Sequence, residues 1–201
     1  MITIVDYGVG NIASLVNMYD YLGHTIEVSD QPDRIRAADK LILPGVGAFD
    51  KAMSTLQAKN LVSPIQDAVL ERGRPLLGVC LGMQLLARGS EEGNLPGLGL
   101  IDADVVRIPA HAHLKIPHMG WAEVELGAPA VLFPATNERE RFYFVHSYFL
   151  RCDNDADCAG TVNYGARMCV AVSHRNVHGV QFHPEKSHRF GMRLLNSFAN
   201  M

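Results

Sequence analysis

In the first half of the chain, short apolar runs alternate with longer stretches in which apolar residues return at helical intervals. "ITIV" opens as a strand and is cut off by "DYGVGN". Ile12, Leu15, Val16, Tyr19 and Leu22 then mark one face of a helix that Gly23 stops. "TIEVS" reads as a second strand, "PDRIRAAD" as a short helix entered through Pro32, and "KLILPGVGAF" as a third strand running into a glycine-rich turn. A helical stretch covers Asp50 to Arg72, with breaks expected near Asn60 and Pro64. "PLLGV" is a fourth strand and "LGMQLLAR" the helix that follows it. Strand–helix alternation of this kind predicts a mostly parallel sheet with helices on both faces.

Beyond Gly89 the pattern changes. "GLGLIDADVVRIP", "KIPHMGWAEVEL", "FYFVHSYFLR" and "CVAVSHRNVHGVQF" read as short strands between turn residues, and "HRFGMRLLNSFANM" as a closing helix. These strands are expected as antiparallel additions at the sheet edge. No repeat, low-complexity tract or Pro/Ser-rich linker interrupts the pattern, so one α/β domain over residues 1–201 is the expectation.

Bulk composition narrows the partners. A formal net charge of −3, without a run of Lys or Arg, disfavours nucleic acid and anionic membrane. "MITIVDYGVGN" lacks the parts of a signal peptide, and no window is long and apolar enough to span a bilayer, so a cytoplasmic protein is expected. Four cysteines are too few for a disulfide scaffold in 201 residues. Cys152 and Cys158 flank "DNDAD" without companion ligands, so neither a metal nor another cofactor is expected.

The chemistry concentrates in "GVCLGMQ", where Cys80 stands between Gly78 and Gly82 at a strand-to-helix junction. A small-x-nucleophile-x-small turn displays its central side chain at a helix N-terminus, where the dipole favours a thiolate and an oxyanion beside it. A buried cysteine at a glycine turn gives the same pattern, so alone it leaves both readings open. A base settles more. Among the nine histidines, His24 follows a helix-ending glycine, His111 and His113 fall in a polar loop, and His174, His178 and His188 read as surface or turn residues. His183 closes the apolar "GVQF" and is followed by Pro184 and Glu185. In an extended segment Glu185 would share its side and could orient the imidazole. Cys80, His183 and Glu185 thus form a candidate triad. Oxyanion donors are sought in the backbone N–H of Leu81 and in "PGVG" at Val46 and Gly47, where a peptide flip could switch the site.

"LPGVGAF", "LLGVCLGMQLL", "GLGLI", "IPHMGW", "FYFVHSY" and "GVQFHPEKS" together resemble the class I, triad-type glutamine amidotransferases, and within them the glutaminase subunits of imidazole glycerol phosphate synthase. The N-terminal "IVDYGVGN" extends the resemblance over essentially the whole chain. It implies a flavodoxin-like core and hydrolysis of glutamine to glutamate and ammonia by Cys80, His183 and Glu185, with Gly47, Gln84, Ser147 and Tyr148 holding the substrate. It further implies a heterodimer with a (β/α)-barrel cyclase subunit that uses the ammonia in histidine biosynthesis, with Asn11, Trp121 and Lys186 facing that partner. "SEEGNLPGLGLIDADVV" and "EKSHRFGMRLL" are more similar to paralogues found with surface-polysaccharide genes, which implies a sugar as the alternative acceptor. Two functions of other classes compete: a stand-alone cysteine hydrolase, which would work without a partner, and a non-catalytic binding module.

Overall fold

The structure, a computed structural model, describes residues 1–110, 114–128, 130–134 and 138–201. His111 and His113 lie outside the described residues. The first half follows the alternation of the sequence: β1 (Ile2–Val5), α1 (Ile12–Tyr21), β2 (Ile26–Ser29), α2 (Pro32–Ala37), β3 (Lys40–Gly45), α3 (Phe49–Ala58), α4 (Val62–Gln66), a wide turn over Asp67–Glu71, β4 (Leu76–Cys80) and α5 (Leu81–Leu85). Helix α2 starts at Pro32, whose fixed φ suits the first helical turn. The break after α3 falls at Asn60, which adopts a left-handed φ of 56°. Pro64, expected to break the helix, sits instead inside the first turn of α4, where a missing N–H costs nothing. Helix α5 ends at Leu85, short of the expected Arg88.

The second half supplies β5 (Ala103–Arg107), β6 (His118–Glu123), β7 (Glu125–Leu126), β8 (Arg141–His146), β9 (Tyr148–Cys152), β10 (Cys158–Asn163), β11 (Arg167–His174), β12 (Val177–Val180) and the closing α6 (His188–Ala199). "FYFVHSYFLR" is two strands, not one. At Ser147 the chain bends out of the small β6–β8 sheet and continues as β9 in the main sheet. "KIPHMGWAEVEL" divides likewise, with β7 pairing to β10.

The main sheet runs β2-β1-β3-β4-β12-β11-β10-β7, with β9 joined to β11 and β5 to β9. Strands β2, β1, β3, β4 and β12 are mutually parallel, and β11 turns the sheet antiparallel. The expectation that every late strand adds at the edge is therefore corrected at β12, which lies against β4 in the middle of the sheet. The reason is in its residues: Val177, His178, Gly179 and Val180 are all buried, as a strand covered on both faces requires. Gly179 lets α5 press against the strand, since a Cβ there would stand 2.8 Å from Met83 Cγ. One face of the sheet is packed by Phe49, Leu56, Leu61 and Ile65, the other by Leu15, Tyr19, Leu194, Leu195 and Phe198. No helix among the described residues is long and apolar enough to cross a membrane.

Candidate active site

Strand β4 ends on Cys80, whose backbone takes φ 57° and ψ −113°. A non-glycine residue there is strained by roughly 1–3 kcal/mol and persists only when its surroundings over-determine it. They do. A Cβ on Gly82 would stand 1.8 Å from the Leu43 carbonyl oxygen, and one on Gly78 would stand 2.7 Å from that of Gly82. The glycines on either side of Cys80 are therefore required by the close approach of β3, β4 and α5. The sulfur sits at the C-terminal end of the parallel strands, where ligands bind in sheets of this type, and the residue is 7% exposed.

Strand β12 carries the base to the same end. Val180 pairs with Val79, so His183 leaves β12 beside the end of β4. The imidazole Nδ1 lies 2.9 Å from Glu185 Oε1, and both side chains are nearly inaccessible. The sequence predicts this contact across an extended segment. The structure uses a tight turn over Pro184–Lys186 instead, closed by Ser187 Oγ donating to the His183 carbonyl at 2.6 Å. Nδ1 faces the carboxylate, which leaves Nε2, buried and without a hydrogen bond among the described residues, for chemistry. Burial alone would push the imidazole pKa down, but the neighbouring Cys80 sulfur and the Glu185 carboxylate outweigh it and raise it to about 9. At neutral pH this imidazole holds a proton next to the sulfur.

A cavity of about 330 Å³ opens in front of the pair and is bordered by Val46, Gly47, Cys80, Leu81, Gln84, Ser147, Tyr148, His183 and Lys186. The structure thus gathers Cys80, His183 and the expected oxyanion and substrate residues at one opening, with the Glu185 side chain buried behind His183. A larger hollow of about 540 Å³ is lined, among the described residues, by Trp121, Glu138, Arg139, Arg141, Arg189 and Phe190, with no cysteine, serine or histidine among them. Gly47 has the left-handed φ of 95° that glycine tolerates, and Val46 is exposed. The preceding Pro44 is tied down by Tyr7, whose buried hydroxyl donates to its carbonyl at 2.8 Å. No side-chain hydrogen bond of this kind is made to the Val46–Gly47 peptide among the described residues. Burial first, then the nearby Cys80, raises the Tyr7 pKa, so Tyr7 stays protonated as that donor.

Several residues in this wall carried no signal in the sequence reading. Gln181 is fully buried. Its Oε1 accepts from Gln84 Nε2 at 2.9 Å and its Nε2 points to Cys80 Sγ at 3.8 Å. Gln84 Nε2 also donates to the Tyr148 carbonyl at 3.3 Å. Glu92 reaches the rim, where Oε2 accepts from the Phe49 N–H at 2.9 Å. A polar Gln181 in an apolar "GVQF" was the one available clue.

Of the residues expected to face a partner, Trp121 is 41% exposed on β6 and stacks flat on His188 at 5.6 Å. Lys186 is exposed at the cavity edge and lies 6.0 Å from the Tyr143 ring. Asn11 begins α1 and accepts from Ser14 Oγ at 2.9 Å, one residue after Gly10, which packs against Pro44. One histidine reading is corrected: His178 is buried, with Nδ1 2.9 Å from Ser173 Oγ, because β12 is central. Cys152 finds its near neighbour in Cys169, 3.9 Å away on β11, and all four cysteines are free.

The sequence matches the family model described as Glutamine amidotransferase class-I over residues 3–200. It is similar to Imidazole glycerol phosphate synthase subunit HisH 2 of Pseudomonas aeruginosa, 47% identical with 100% of both chains covered. It is also similar to subunit HisH 2 of Methanococcus maripaludis (46%, covering 98% of each chain) and subunit HisH of Moorella thermoacetica (47%, covering 100% of this chain and 94% of that one). In fold it is similar to a crystal structure of a glutamine amidotransferase, with a TM-score of 0.75 at 18% identity, covering 100% of this chain and 99% of the other. A glutamine amidotransferase from Thermotoga maritima gives a TM-score of 0.64 at 19% identity, over 99% of this chain and 81% of that one.

Proposed function

The chain belongs to the class I glutamine amidotransferases, and from that premise we propose that it is the glutaminase subunit of an imidazole glycerol phosphate synthase, releasing ammonia from glutamine for histidine biosynthesis. The observation that carries the reading is the strained elbow that sets Cys80 beside the buried His183–Glu185 pair. The three sequence relatives named above carry the name of a subunit of that synthase, so the sugar-amidating alternative is not favoured.

In this reading the Cys80 thiolate attacks the side-chain amide carbon of glutamine. The amide oxygen becomes an oxyanion held by the N–H of Leu81 and by the Val46–Gly47 segment; one such donor is worth about 2.7–4 kcal/mol in a transition state. His183 passes its proton to the amide nitrogen, the C–N bond breaks and ammonia leaves. A water then loses a proton to His183 and attacks the thioester carbon, freeing glutamate and the Cys80 sulfur. Glu185 keeps Nδ1 occupied so that Nε2 does this work. Gln84, Ser147 and Tyr148 border the space for the substrate, and the Glu92 carboxylate at the rim is complementary to an α-ammonium group.

Such a chain works with a partner. We take the partner to be a (β/α)-barrel cyclase forming a heterodimer over the face that carries Asn11, Trp121 and Lys186. Gly47, with its left-handed φ of 95°, permits a turn of the Val46–Gly47 peptide, a physical route by which that partner would switch on the oxyanion site. The test is an electrophilic glutamine analogue added to the complex, followed by peptide mass spectrometry. Covalent label on Cys80, blocked by glutamine, is the expected result; label on another cysteine, or none, would overturn the assignment.

A further inference from the structure

Behind the glutamine pocket lies a pair of histidines that the mechanism above does not use. His118, on β6, and His146, at the end of β8, are each 5% exposed. His118 Nδ1 lies 3.0 Å from His146 Nε2, and His146 Nδ1 lies 2.8 Å from the Tyr148 carbonyl oxygen. His118 is held in its plane by Phe144, stacked at 5.0 Å, and Tyr164, at 4.2 Å. Their neighbours Pro117, Val145, Ser147 and Tyr148 border the pocket, as does His146 itself.

The hydrogen-bond arithmetic leaves one protonation pattern. A carbonyl only accepts, so His146 Nδ1 carries a proton. A neutral His146 then has a bare Nε2 that must accept, and His118 must donate to it from Nδ1. Both rings are neutral Nδ1–H tautomers, the form that is in the minority for free histidine in water. Burial pushes the His118 pKa down, and it takes that of His146 to about 4, which keeps the pair neutral at physiological pH.

We infer that His118 and His146 are positioning residues: a neutral two-imidazole relay that fixes the Tyr148 carbonyl and, through it, the Ser147–Tyr148 wall against which glutamine is held. The Tyr148 oxygen takes two donors, His146 Nδ1 and Gln84 Nε2, and the Ser147 oxygen takes the Ile108 N–H at 2.9 Å. With both carbonyls engaged inward, the backbone between β8 and β9 has one orientation. The relay sets where the substrate rests rather than touching the breaking bond, so its loss is read in KM. This rests on the glutaminase reading given above.

Two measurements on the complex with the cyclase partner test it. Glutamate release by His118→Leu should show a KM for glutamine raised roughly 5- to 10-fold, the size of one lost hydrogen bond, with kcat within about twofold. His118→Asn places an amide N–H where Nδ1 stood and should restore KM to within about twofold of the unaltered protein. Nitrogen-15 NMR of histidine-labelled protein reads the tautomers directly, whatever the variants do to folding. Nδ1–H signals for both residues are expected. An Nε2–H tautomer or a protonated ring at either position at neutral pH, or equal KM in the leucine and asparagine variants, would overturn the relay. If the unaltered complex released no glutamate, the function proposed above would fail, while the tautomers would still decide the relay.

Discussion

Cys80 is a cysteine in a conformation that suits glycine, and everything around it explains why the chain accepts the strain. Replacing Cys80 by Ala should remove glutamate release to background while leaving the thermal transition close to that of the parent, because a small side chain is kept at the elbow. Glu185→Gln keeps the shape of the His183 contact but not its charge. It should cut kcat by up to about 10⁴-fold, the loss seen when a serine triad loses its orienting carboxylate. The same variant should move the pH profile. His183 is lifted to about 9 partly by Glu185, so the alkaline limb of kcat/KM, set near pH 9 in the parent, is predicted to fall to lower pH in the variant. A limb that does not move would mean that Glu185 does not act on His183.

Among elements, the elbow depends on the close approach of α5 to β3 and on the pairing of β4 with β12. Gly82→Ala, on α5, drives a Cβ into the Leu43 carbonyl of β3 and should cost about 3 kcal/mol in denaturant unfolding, with loss of activity. His178 on β12 gives a second check. Burial takes its pKa from 6.5 to about 4, so the unfolded chain binds a proton over that interval that the folded chain refuses. This contribution is complete above about pH 6.5 and is lost as pH falls toward 4. His178→Asn, which keeps a partner for Ser173 Oγ, should show a smaller drop in melting temperature over that window than the parent. The parallel strands and the elbow were legible in the sequence because their signals are local: an apolar run, a glycine turn, a helical period. The central place of β12 was not, since pairing between residues about 100 apart leaves no trace in a local pattern. The same holds for His178 and Gln181, whose burial follows from that pairing. Glu185 was reached by an argument from extended backbone, although the turn that delivers it is a tight one.

At the scale of the whole molecule, two strands that end side by side bring nucleophile and base together from opposite halves of the chain. Exposed Val46 borders their cavity, and Met119 and Trp121 are exposed on β6. Trp121→Ala, on the face proposed for the partner, should weaken association with the cyclase by roughly tenfold, measured by titrating one protein with the other. A glutaminase that works with a partner is tested by glutamate release from glutamine, by the chain alone and with the cyclase partner and its nucleotide substrate, with Cys80→Ala as the blank. Little release by the chain alone, strong stimulation by the loaded partner, and none with the blank are expected. Equal release with and without the partner would contradict a partner-dependent glutaminase and point to a stand-alone hydrolase.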